Sequence, residues 1–327
     1  MSARALEFVA PHQVRVVDTD VPDPARGQIV VRTLYSGISA GTELLAYRGD
    51  VDPQLSVDET IGSLGGTFSY PFRYGYSCVG VVERSSHSIP SGTLVFVFHP
   101  HQDRFVCSGR DAVVVSGVDP RLATMFPLVE TGLQITLDAD SVFGEIVLVM
   151  GLGTVGLLTS SLLKRAGARV VATDPSQVRR DLADELGVET IAPDDLRRRF
   201  GGGVPLVVEV SGNPDALAAA LGLLGHEGTA LVASWYGTKP VILPLGGDFH
   251  RRRLTIRSTQ VSTIPARLAP RWTIEGRRRL VTQLLGELPL KDLATHEFAF
   301  DRAQDAFAAL DRGDDSLLHA ALVYERD

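Results

Sequence analysis

The run Ile146-Val-Leu-Val-Met150 carries no polar side chain and passes directly into Gly151, Gly153 and Gly156, spaced G-x-G-x-x-G. No other stretch restricts what the chain can fold into as much. A strand that turns at once into a helix leaves no room for side chains at three points. Gly151 permits the tight turn, Gly153 lets a ligand approach the backbone, and Gly156 allows the helix to press on the strand. Leu152, Thr154 and Val155 complete the turn. The first helical turn then offers unpaired N–H groups and the positive end of its dipole, a setting for phosphate. A second apolar strand, Arg169–Thr173, ends on Asp174, about 20 residues on, where a carboxylate can accept ribose hydroxyls. The pattern predicts a dinucleotide-binding βαβ unit. Asp174 favours NAD, because it would repel the 2′-phosphate of NADP. Arg179 and Arg180 keep NADP as the alternative, since a guanidinium there could turn towards a phosphate.

Strand and helix patterns keep alternating after the fingerprint. Helices are predicted over residues 177–186 and 214–224, and strands over 190–191, 206–209 and 229–233. This succession calls for a parallel sheet with helices on both faces. Upstream, residues 13–18, 28–36, 79–84, 93–98 and 111–115 read as short strands punctuated by Gly, Pro, Ser and Asp. Residues 123–138 turn helical. Beyond the sheet come helices near 274–285 and over 303–312, then a strand over 319–324. The fold class expected is α/β, a doubly wound parallel sheet over 132–261 inserted into a β-rich domain made of 1–131 and 262–327.

Length supports two domains, since 327 residues exceed what one core usually serves. The net charge of −7 gives no pull towards nucleic acid or anionic membrane. Arginines at 251–253 and 277–279 form short clusters, read as solvated or phosphate-facing. Two cysteines, Cys78 and Cys107, exclude a disulfide scaffold and a Cys-rich zinc lobe. Residues 146–163 are apolar enough to span a bilayer by length, but the three glycines make a turn the better explanation. The N-terminal residues lack the pattern of a signal peptide. The expectation is a cytoplasmic protein that acts on a small molecule, with neither nucleic acid nor membrane as partner.

Four segments carry a family resemblance: Ser36-Gly-Ile-Ser-Ala-Gly-Thr-Glu43, Gly75-Tyr-Ser-Cys-Val-Gly-Val-Val-Glu83, the fingerprint, and Val208-Glu-Val-Ser-Gly-Asn-Pro-Asp215. With the domain order, they resemble the medium-chain dehydrogenase/reductase superfamily over nearly the whole chain. Within it the chain is similar to a zinc-binding alcohol dehydrogenase branch that includes bacteriochlorophyllide dehydrogenase. The resemblance implies a Rossmann domain inserted into a GroES-like one, hydride transfer to or from a nicotinamide, and a homodimer as one assembly. Zinc-dependent members have Cys where this chain has Ser39 or Ala40, and Gly-His-Glu where it reads Gly75-Tyr76-Ser77. The four-cysteine loop is also missing. Hydroxyl and phenol groups are poor Zn²⁺ ligands, so neither a catalytic nor a structural zinc is expected. Against this stand His99, His101, Asp103 and Glu130, ligand-type residues of which the two histidines would share a face in a strand.

Without a Lewis acid, hydrogen-bond donors must stabilise an alkoxide or enolate. By resemblance, Thr42 is the proton-relaying hydroxyl and Glu43 a supporting carboxylate; as plain residues, both suit the start of a helix. Tyr76 stands at a zinc-ligand position and offers a phenol. His101 is a candidate general acid, and Glu130 a candidate cleft carboxylate. Ser211, Trp235 and Tyr236 follow two strand ends, where ligands bind in open α/β sheets, and are assigned with Asp174 and Arg179 to the cofactor. The reading is a zinc-independent oxidoreductase of a polar alcohol or carbonyl. The alternatives are an NADPH-dependent reductase of an activated C=C bond and an idle NAD(P)-binding protein.

Overall fold

Apolar alternation at the start of the chain produces β1 (Ser2–Ala10), β2 (Gln13–Asp20) and β3 (Gln28–Ile38). The computed structural model describes residues 1–325. Contacts divide the chain into two units, one of Met1–Pro127 with Thr282 onward, the other Leu128–Val281. β1 and β2 pair as an antiparallel ribbon. Helix α1 (Ala40–Arg48) follows β3 and stops at Gly49, whose φ of 79° suits a residue without a side chain. Then come β4 (Cys78–Ser85), β5 (Leu94–Val97), β6 (Arg104–Ser108), β7 (Ala112–Val114) and the short α2 (Pro120–Ala123).

Helix α3 (Phe126–Asp138) leads into the second unit. There the chain runs through β8 (Ile146–Met150), α4 (Thr154–Arg165), β9 (Arg169–Thr173), α5 (Gln177–Glu185), β10 (Glu189–Ile191) and α6 (Leu196–Phe200). It continues through β11 (Val204–Glu209), α7 (Pro214–Leu221), β12 (Leu224–Val232), β13 (Thr255–Ser258) and α8 (Ile274–Leu284). The six strands lie in the order β10-β9-β8-β11-β12-β13, every neighbouring pair parallel. Val147, Leu148 and Val149 have no exposed surface, as a strand covered on both faces requires. The chain steps outward from β8 to β9 and β10, then crosses to β11 on the other side of β8. That reversal is the point where open α/β sheets bind ligands.

The first unit resumes with α9 (Leu290–Leu293), β14 (His296–Ala299), α10 (Ala303–Arg312) and β15 (Ala320–Val323). Its sheet runs β14-β15-β3-β4-β5-β7, with β6 on β3. The returning segment closes the core: Phe307 of α10 meets Phe8 of β1 edge-on at 5.3 Å, and Phe8 stacks on Phe72 at 5.2 Å. Such pairs add about 0.5–1.5 kcal/mol beyond the area they bury.

The structure redraws some sequence expectations. Strand β12 starts at Leu224, five positions before 229, because Gly222 and Gly225 are poor helix formers and end α7 early. Residues 262–281, expected in the β-rich domain, belong to the second unit. Arg277 in this stretch, read as solvated or phosphate-facing, is only 1% exposed. Its Nε donates to Glu130 Oε1 at 3.0 Å, its Nη1 to Gln134 and its Nη2 to the Val261 carbonyl. Removing one partner of a buried pair leaves an uncompensated charge. Glu130→Ala should therefore lower stability by about 3–5 kcal/mol, read as a fall in the urea midpoint; a midpoint within error of the parent would refute the pairing.

His319 is 2% exposed and its Nε2 donates to Thr124 Oγ1 at 3.0 Å, since that hydroxyl donates to the Arg121 carbonyl. Burial lowers its pKa to about 4. The unfolded chain, near 6.5, takes up the proton first, so this contribution is complete above pH 6.5 and is lost as pH falls towards 4. His319→Asn should flatten the acid limb of stability against pH, measured by urea titration between pH 7 and about 4.

Candidate functional site

In the second unit the chemistry gathers at the C-terminal ends of β8, β9, β11 and β12. Gly151 has φ of 107°, and a Cβ there would stand 2.7 Å from the Ser211 Cα. A Cβ on Gly156 would run into the Gly151 carbonyl oxygen. A Cβ on Gly153, by contrast, would meet nothing within 4 Å, and this residue caps α4 without a side chain. The turn is thus closed towards the protein and open on the one side a pyrophosphate must approach. Leu152 is fully buried, Thr154 buried and Val155 half-buried behind it.

Asp174 directly follows β9 and lies against the same turn. Its Oδ2 accepts the Leu152 N–H at 2.8 Å and its Oδ1 the Ser176 N–H at 2.9 Å. The carboxylate is oriented by backbone before any ligand arrives, and each oxygen keeps a lone pair for a ribose hydroxyl. Arg179 Nη1 stands 4.0 Å from Oδ2. Arg180 is committed elsewhere: its Nη1 donates to the carbonyls of Asp174 and Pro175. A dinucleotide fits these residues.

On the other side of β8, Glu209 ends β11 with no exposed surface. Its Oε1 accepts the Ser211 N–H at 2.8 Å and the Ser211 hydroxyl, and its Oε2 accepts the Tyr236 phenol. Burial and Glu209 together push the Tyr236 pKa far up, so the phenol keeps its proton. Trp235 is 37% exposed in the same loop. Sequence reasoning singled out Ser211, Trp235 and Tyr236 but not Glu209, which looks like one more residue of an apolar strand.

The first unit assembles a separate cluster around the start of α1. Ser39 caps the helix, and Glu43 reaches back so that Oε1 accepts the Ser39 N–H at 2.8 Å. His101 Nε2 donates to Glu43 Oε2 at 2.8 Å; its Nδ1 shares a 2.7 Å hydrogen bond with Ser36 Oγ, which meets Tyr324 Oη at 2.8 Å. Glu43 and His101 are both 0% exposed. The imidazole lies so close to Gly75 that a Cβ there would stand 2.5 Å from the ring. Tyr76 is half-buried, and burial first, then Glu43, raises its pKa to about 12, with the nearby Ser39 and Thr42 acting the other way. Thr42 is half-buried at the edge of the cluster.

Thr42, Glu43, Tyr76 and His101 are therefore brought together, while Ser36 and Tyr324 were missed. Glu130 is not among them: it is 2% exposed and held by Arg277 and Arg278. Nor do His99 and His101 share a strand face, because Pro100 interrupts the ladder. The His99 ring stacks on Phe105 at 3.7 Å instead. A zinc ion does not fit the first unit's cluster. Both His101 nitrogens are engaged, Ser77 Oγ donates to the Thr124 carbonyl, and the remaining groups are hydroxyls. Among the described residues, no group of three or more His, Cys, Asp or Glu is placed to hold a metal ion. Nor is any described helix long and apolar enough to cross a membrane.

Comparison with known proteins agrees with this architecture. Residues 154–272 match the family described as zinc-binding dehydrogenase. The chain is 23% identical over 266 residues to the 2-dehydro-3-deoxy-L-galactonate 5-dehydrogenase of Pseudoalteromonas atlantica, covering 73% of this chain and 78% of that one. It is 24% identical to the L-threonine 3-dehydrogenase of Pyrococcus horikoshii, covering 91% and 92%. An alcohol dehydrogenase of Escherichia coli solved with NADH superposes with a TM-score of 0.79 at 17% identity, over 98% of this chain and 99% of that one. Residues 154–272 thus resemble zinc-binding dehydrogenases, and over most of its length the chain is similar to NAD(P)-dependent dehydrogenases of the medium-chain type.

Proposed function

We propose that this enzyme transfers a hydride between NAD(H) and a polar alcohol or carbonyl substrate without a catalytic metal. The observation that carries the reading is that Tyr76 lies near the hydroxyls of Ser39 and Thr42, with Tyr76 and Ser39 at positions that, by resemblance, hold metal ligands in zinc-dependent members. The relatives named for a sugar acid and for threonine support a small polar alcohol as substrate.

A dinucleotide held by Gly151, Gly153, Asp174 and Ser211 would supply or accept the hydride. Tyr76 donates its phenolic O–H to the substrate oxygen, a role that requires a neutral phenol at working pH, and its raised pKa meets that requirement. Thr42, half-buried at the edge of the cluster, relays the proton between the substrate oxygen and water, outward on oxidation and inward on reduction. Glu43 and His101 have no surface to offer a substrate and serve by holding the cluster in place. Asp174, fixed by Leu152 and Ser176, selects the unphosphorylated ribose, with Arg179 alongside.

The first test is fluorescence titration of the chelator-treated protein with NADH and NADPH. NADH should bind at least about tenfold tighter, a difference of roughly 1.4 kcal/mol, and Asp174→Ala should remove most of that preference. A parent protein that prefers NADPH would overturn the NAD assignment, and loss of turnover on chelation would overturn metal independence.

A second test separates chemistry from binding. Tyr76→Phe should lower kcat by about 10²–10³-fold, with the NADH dissociation constant nearly unchanged. Full activity in that variant would remove the phenol from the mechanism.

A further inference from the structure

Glu209 is a fully buried carboxylate that the proposed reaction does not use, yet it accepts three hydrogen bonds from two different loops. Ser211 belongs to the loop after β11, and Tyr236 to the loop after β12. Other contacts lace the same two loops together. The Ala233 N–H donates to the Glu209 carbonyl, the Gly212 N–H to Ser234 Oγ at 2.8 Å, and Lys239 Nζ to the Gly212 carbonyl at 3.2 Å. The Ser211 backbone in turn lies against Gly151, the first glycine of the turn. One carboxylate thereby ties the β12 loop to the phosphate-binding turn.

Its place in the sheet says which half of a dinucleotide this affects. Asp174 follows β9 on one side of β8 and marks the ribose of the adenosine half. β11 and β12 lie on the other side of β8, across the point where strand order reverses. A dinucleotide bound across that reversal lays its second half over the ends of β11 and β12. We infer that Glu209 is a positioning residue for the nicotinamide half, acting through Ser211 and Tyr236. This rests on the cofactor reading above. All three groups that meet the Glu209 side chain are hydrogen-bond donors, so an ionised carboxylate satisfies them at once. An amide would oppose one of them with its own NH₂.

The experiment compares Glu209→Gln and Tyr236→Phe with the parent in two titrations. One follows NADH by fluorescence; the other follows AMP, which carries only the adenosine half, by calorimetry. Both variants should weaken NADH by roughly tenfold, the effect of losing a hydrogen bond to a charged group, and leave AMP within about twofold of the parent. A role confined to supporting the turn would weaken AMP and NADH in parallel, and that result overturns the inference, as does unchanged NADH binding in both variants. Should Glu209→Gln fail to fold, Tyr236→Phe decides alone, since it keeps the carboxylate and removes one donor. A parent that binds AMP but not NADH overturns the inference while the adenosine subsite stands. A parent that binds neither overturns the cofactor reading itself.

Discussion

The helix after β8 presses so closely on the turn before it that a side chain at residue 156 would occupy the Gly151 carbonyl oxygen. Gly151 itself adopts a φ of 107° with the Ser211 backbone against it. The rest of the second unit's chemistry depends on these two close approaches. They bring the start of α4, with the positive end of its dipole, to the C-terminal edge of the sheet. They also create the surface on which Asp174 docks from β9 and Ser211 from β11. Each carboxylate near the turn is held by backbone amides, Asp174 by two and Glu209 by one, so neither needs a ligand to find its orientation.

The first unit solves a different problem. A carboxylate with no exposed surface must be satisfied internally, or its desolvation would not be offset. Glu43 accepts the Ser39 amide and the His101 imidazole, and the imidazole is continued by Ser36 and Tyr324. The ring can sit there only because residue 75 is a glycine. Above this closed network stands Tyr76, kept protonated by burial and by the nearby carboxylate.

Sequence reading recovered features written in local periodicity. The glycine spacing, the apolar strand before it and Asp174 at the end of β9 all stand between residues 146 and 174, and the βαβα succession continues from there. The start of α1 was equally visible in Thr42 and Glu43, which suit a helix N-terminus whatever else they do. Ser36, Glu209, Arg277 and Tyr324 were not visible as polar centres. Ser36 and Tyr324 are 288 positions apart, and Arg277 is 147 from Glu130. No local pattern encodes such meetings. Arg277 even sits in a run of three arginines, which by composition suggests a solvated face.

The sequence by itself determined where a Cβ is forbidden, where the hydrophobic period changes from two to 3.6, and which residue types are absent from the zinc-ligand positions. Those are properties of single residues and near neighbours, and they suffice for the fold and for the cofactor. Only the tertiary structure decided what the buried charges do. Whether a carboxylate is a catalyst, a hinge pin or half of an ion pair depends on which donors the folded chain brings within about 3 Å of it. Glu43, Glu130 and Glu209 are alike as letters. Folding hands the first to a histidine, the second to an arginine, and the third to a serine and a tyrosine.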